Sequence, residues 1–187
     1  MFEKFTAEAR AVVRGAAEQA DRTGTGTIGE PELLLALLER RQSPAAGVLA
    51  ALGVHERRES VAQALAEVRR RGGVTAADAA ALAGLGIDID AVVARVEETH
   101  GVGALAADGT AGRRKRVRRP FTPEAKAVLE RALRIGAGRG ERHLGDEHLL
   151  LALTTGSGPA AAVLADLGVT HDEVVRSLGE ARGRRAS

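Results

Sequence analysis

Apolar residues recur along this chain at helical spacing, and the stripes they form come in matching sets. Ala9, Val12, Val13 and Ala16 fall at i, i+3, i+4 and i+7, and Ala125, Val128, Leu129 and Ala132 repeat the stripe far downstream. Each stripe predicts an amphipathic helix with one buried face. Thr6 and Thr122 stand just ahead as N-caps, because a hydroxyl there accepts from the free N–H groups of the first turn. Pro123 suits the first helical position, where no donor is needed. A second helix carries Leu33 to Leu37, or Leu149 to Leu153. It is apolar nearly all round, which predicts burial on several sides. Gly-rich turns, Thr23 to Gly29 and Gly136 to Gly145, lead into it.

A third, short helix starts at Ser43-Pro44 or Gly158-Pro159 and stops at a recurring motif. The motif reads Leu49-Ala-Ala-Leu-Gly53-Val54 and Leu164-Ala-Asp-Leu-Gly168-Val169. It predicts a Schellman stop, with Gly at positive φ and Val54 or Val169 folded back on Leu49 or Leu164. A fourth helix follows, with Thr170 and Glu173 as a capping box in the downstream set. Between the two sets the stop occurs once more, at Leu82-Ala-Gly-Leu-Gly86-Ile87, followed by Asp88 and the run Ile89, Val92, Val93, Val96. Half a repeat is thus inserted, with Thr75 and Asp78 capping its first helix.

Aligned at an offset of 116, residues 5 to 37 match residues 121 to 153 at 14 of 33 positions. After a one-residue deletion, Pro44 to Val54 match Pro159 to Val169 at 9 of 11. That is a duplication, and it divides the chain. Residues 1–71 form the first repeat, 72–100 the inserted half-repeat, 101–119 a Gly-rich and then basic linker, 120–181 the second repeat and 182–187 a basic, disordered tail. The expected fold class is all-α, two four-helix repeats related by a pseudo-twofold.

Composition agrees and narrows the chemistry. The 187 residues hold three aromatics, Phe2, Phe5 and Phe121, so the core must come from Leu, Val and Ala, which enter helices at little cost. With no Cys, disulfides and thiolate metal sites are excluded. No apolar run approaches membrane-span length, and MFEKFTAEAR mixes acids and bases where a signal peptide needs an apolar stretch. A cytoplasmic, unprocessed chain is expected. The net charge of +2 hides an asymmetry: removing Arg113, Arg114, Lys115, Arg116, Arg118 and Arg119 leaves −4.

FTAEARAVV, PFTPEAKAVLERAL, LGDEHLLLAL and GPAAAVLADLGV together resemble the double repeat at the N-terminus of Clp (Hsp100) ATPases of the ClpC type. The resemblance covers roughly residues 1 to 70 and 118 to 180, and the insertion at 72 to 119 departs from the compact family version. It implies an eight-helix domain that docks substrates and adaptors, and in some members phosphoarginine on proteins marked for degradation. The implied recognition residues are the Thr of F-T-x-x-A and the Glu of G-T-E-H. The second repeat keeps both, as Thr122 and Glu147; the first keeps Thr6 but has Pro31 at the Glu position, so its pocket is expected to be degenerate. The alternative is that Thr122 and Glu147 are only a cap and a first-turn acid. A second implied surface lies where the first helices of the copies meet. There Phe2, Arg10, Phe121, Lys126 and Glu130 match positions that receive adaptors and cyclic peptide antibiotics in actinobacterial members. Phe5 is read as a core plug, while for Phe2 and Phe121 anchor and plug both stand.

No G-x-x-x-x-G-K-[ST] loop is present to grip a nucleotide phosphate, and no G-x-S-x-G elbow supplies a nucleophile. No enzyme, cofactor or metal is expected: His55, His100, His143, His148 and His171 include no i, i+4 ligand pair. The reading is a non-catalytic binding module, free-standing from the ATPase, that delivers ligands to a ClpC-type ATPase or competes for its substrates, adaptors or peptides. The alternative is a nucleic-acid-associated regulator using the basic linker, whose six cations displace counterions but lack interleaved aromatics. Asp88, Asp90, Glu97 and Glu98 of the half-repeat are candidates to pair with that linker.

Overall fold

The computed structural model describes residues 2–106 and 119–186, and among them the secondary structure is helical. The first repeat holds α1 (Ala7–Thr23), α2 (Glu30–Glu39), α3 (Pro44–Ala51) and α4 (Arg58–Arg70). The insertion forms α5 (Ala76–Gly84) and α6 (Ile89–His100), and the second repeat α7 (Pro123–Gly138), α8 (Asp146–Thr154), α9 (Pro159–Asp166) and α10 (His171–Ala186). Short 3-10 turns lie at Phe2–Lys4 and Ala104–Ala106. The expected all-α double repeat is the observed fold.

The predicted caps are in place. Thr6 accepts from the Ala9 N–H at 3.3 Å and Thr122 from Ala125 at 3.2 Å. Thr75 and Asp78 cap each other's backbone, whereas Thr170 receives only the Glu173 N–H while the Glu173 carboxylate turns to Arg176. All three Schellman stops close: Val54, Ile87 and Val169 donate to Leu49, Leu82 and Leu164 at 2.8, 2.9 and 2.8 Å, across Gly53, Gly86 and Gly168 at positive φ. Two boundaries differ from expectation. α7 runs through Gly136 to Gly138, and at Gly136 the missing side chain leaves room for Leu144, whose Cδ2 lies 2.3 Å from where a Cβ would be. α10 continues to Ala186, through the expected tail.

α2 and α8 are the central helices. Leu33, Leu34, Leu37, Leu149 and Leu150 are fully buried, at 0% exposure each. Around them the repeats exchange segments. The Thr6 N–H donates to the Leu144 carbonyl and the Leu144 N–H to Lys4, while Thr122 donates to Ile28 and Ile28 to Pro120, all at 2.8–3.0 Å. Lys4, Thr6 and Ile28 correspond to Pro120, Thr122 and Leu144 at the offset of 116, and exchanging them turns one pair of bonds into the other, which is the pseudo-twofold written in hydrogen bonds. The third and fourth helices pair across the same axis, α3 with α10 and α4 with α9. Phe5 is a core residue, as expected.

The half-repeat sits apart from this exchange. α5 buries no residue and α6 buries only Val93. Among the described residues, Asp90 pairs with Arg71 at 2.9 Å, Glu97 lies 3.5 Å from Arg70, and Asp88 caps α6. The end of α4, with Arg70 and Arg71, supplies these cations. Residues 113–118 of the basic run lie outside the described residues, and Arg119 pairs with Asp21 at 2.8 Å.

Candidate functional site

The starts of α2 and α8 lie at the exchange, and each acts on the other repeat. The first residue of α8, Asp146, is completely buried and accepts from the Ala45 N–H at the start of α3, at 3.4 Å. The first residue of α2, Glu30, is 5% exposed and takes the Ala160 N–H at the start of α9. Carboxylates therefore cap helices of the opposite repeat, where the free N–H groups and the dipole favour them. Burial pushes the Glu30 carboxyl up, with Arg131 opposing. Gly158 makes room for it, since a Cβ there would stand 1.9 Å from Glu30 Oε2.

Two residues further on, Glu32 accepts from the Gly29 N–H at 2.8 Å and pairs with Arg69 of α4. Its counterpart is His148, fully buried, whose Nδ1 accepts from the Gly145 N–H at 3.1 Å. An acceptor at Nδ1 places the proton of the neutral ring on Nε2, which lies 3.0 Å from Glu141. Ligand atoms of Glu141, Glu147 and His148 lie within 4.8 Å of one another, a spacing a cation can use. This tautomer, however, has a proton where the metal needs a lone pair, so the arrangement is that of a helix cap.

The residue between these two decides the recognition chemistry, and here the expected pairing changes. Thr122 does not face Glu147 within the second repeat. It is hydrogen-bonded to Ile28, and its Cγ2 is 3.9 Å from where Gly29 would carry a Cβ, which sets it against the α2 start with Pro31. Thr6, bonded to Leu144, stands against the α8 start with Glu147. The segment exchange crosses the pairs, which comparison of one repeat with the other does not reveal. Glu147 is 9% exposed, burial pushes its carboxyl up, and its Oε2 has no hydrogen-bond partner among the described residues. Arg10 donates to the Phe5 carbonyl at 2.9 Å, one residue before Thr6.

The second expected surface is only partly assembled. Arg10, Lys126 and Glu130 are exposed, but Phe121 is half-buried against the core, with its neighbours' backbone tied to Ile28. α1 and α7 do not share a broad face: α1 packs on α2 and α8, and α7 on α8 and α2. The Phe2 side chain lies outside the described residues. Sequence reasoning missed Glu30 and Asp146, because it sought Ser or Thr caps from the same helix; the Ser43/Gly158 difference was the available signal.

The Clp repeat (R) N-terminal domain family matches residues 4–78 and 120–187. The chain belongs to that family, a protein-interaction module. Chaperone protein ClpC1, chloroplastic, from Arabidopsis thaliana is 31% identical over 185 residues, covering 96% of this chain and 16% of that protein. The ClpA homolog of Guillardia theta is also 31% identical, over 96% of this chain and 18% of its own length. The chain thus spans under a fifth of the length of these relatives. Two solved structures share the fold. The N-terminal domain of ClpD from Arabidopsis thaliana has a TM-score of 0.57 at 19% identity, covering 98% of this chain and 97% of that one. The Hsp104 N-terminal domain from Candida albicans has 0.55 at 17%, covering 97% and 93%.

Proposed function

We propose that this chain is a non-catalytic receptor for protein segments that a ClpC-type ATPase also recognises, and that the Thr6–Glu147 junction holds phosphoarginine. The observation that supports this is Glu147 Oε2, without a hydrogen-bond partner among the described residues, at the start of a helix set against the Thr6 cap. A carboxylate suits a guanidinium, while a hydroxyl at the positive end of a helix dipole and the Arg10 cation suit a phosphoryl group. The protein then acts as a deliverer or a decoy: delivery needs contact with the ATPase, a decoy only the ligand. Titration calorimetry with free phosphoarginine tests the site. The parent should bind, and Glu147→Ala or Thr6→Ala should weaken binding at least about tenfold, the value of one charge-assisted contact. No heat with the parent, or equal affinity in both variants, overturns the reading. Pull-down with a ClpC-type ATPase, with and without ligand, separates delivery from decoy.

A further inference from the structure

The opposite junction, around Thr122, has become a different site. A cavity of about 420 Å³ opens there, within the range that holds a side chain and its flanking backbone. The start of α2 and the α4 residues Leu65 and Val68 form its walls, and Thr122 and Glu124 of α7 face them. The insertion supplies a further wall: Leu105 and Ala106 line it, and the Leu105 Cβ is 3.7 Å from where Gly72 would carry a Cβ. That turn is fixed by the Gly103 N–H donating to Glu97 at 2.9 Å. The polar groups are unbalanced. Glu30, Glu32 and Glu124 line the cavity with Arg69, which Glu32 engages, while Arg131, outside the lining, acts on Glu30. Glu30 is 5% exposed, and its Oε2 has no hydrogen-bond partner among the described residues.

We infer that this cavity binds the unphosphorylated arginine side chain of an extended peptide. An apolar stem suits Leu65, Val68 and Leu105, and the planar fork of a guanidinium offers donors to two carboxylates at once, Glu30 and Glu124. A phosphoryl group would meet those carboxylates instead of a complementary charge. This inference is independent of the phosphoarginine reading, because it concerns the other junction.

The test is amide chemical-shift mapping of the full chain titrated with the peptide acetyl-ALRLA-amide, with a glutamine twin, ALQLA, and an arginine-phosphorylated twin. Saturable shifts are expected at Gly29, Arg69, Gly72 and Thr122, with both twins at least about tenfold weaker at these amides. Glu124→Gln, an exposed change that leaves the fold intact, should weaken the arginine peptide similarly, and so should Glu30→Gln. Absence of saturable shifts at these amides, equal binding of either twin there, or indifference to both substitutions overturns the inference. Failure of phosphoarginine binding would be read from amides at the α8 start and bears only on the other site.

Discussion

The starts of α2 and α8 occupy equivalent places in one duplicated fold, yet they solve the same capping problem with different atoms. At the α3 end the cap combines Ser43, whose own hydroxyl takes the Ala46 N–H at 3.2 Å, with the shorter Asp146. At the α9 end it combines Gly158, which brings no side chain, with the longer Glu30. Bulk has moved from the capped helix to the residue that reaches across the axis. Two positions on, a Glu32–Arg69 ion pair faces a His148–Glu141 contact of different charge design. The lesson is that the pseudo-twofold preserves where donors must be satisfied, not which side chain does it.

Three experiments would break or sharpen this comparison. The largest effect is expected from Arg69→Ala, which leaves the buried Glu32 carboxylate without its cation. Loss of one partner of a buried pair costs about 3 kcal/mol, read by urea denaturation. The matching change in the other repeat, Glu141→Gln, keeps an acceptor for His148 Nε2 and should cost under about 1 kcal/mol. Next, Gly158→Ser drives a side chain into Glu30 and should cost about 2 kcal/mol, as overpacking does. Adding Glu30→Asp recreates the Ser43–Asp146 arrangement and should recover part of that loss; a double-mutant cycle showing no coupling would refute the exchange of bulk. The smallest effect is a matter of slope. Burial raises the folded-state pKa of Glu30 above its ordinary 4.5, so its contribution is fully present below that value and is lost as pH rises through the folded pKa. Glu30→Gln should therefore show less loss of stability than the parent over that window.

The Schellman stop shows how far local pattern reaches. Leu-x-x-Leu-Gly followed by Val or Ile predicts the same backbone three times, and three times the backbone complies. Burial does not follow. Val54 and Val169 are 0% and 2% exposed because α3 and α9 each meet the opposite repeat, whereas Ile87 is 44% and Leu85 78% exposed, since α5 has no such partner among the described residues. The same divide runs through the candidate site. Thr6, Thr122 and Glu147 were legible as special positions from capping chemistry and family resemblance, but their partners were not.

Helix positions, caps, stops and the internal duplication follow from residues within about one or two turns of one another, so the order of side chains along the chain determined them. Which threonine faces which glutamate, which carboxylate caps which helix, and the cavity closed by the 3-10 turn at Leu105 depend on contacts across about a hundred residues. Only the packing of one repeat through the other decided those, because a buried N–H must find an acceptor in space, whatever its distance in sequence.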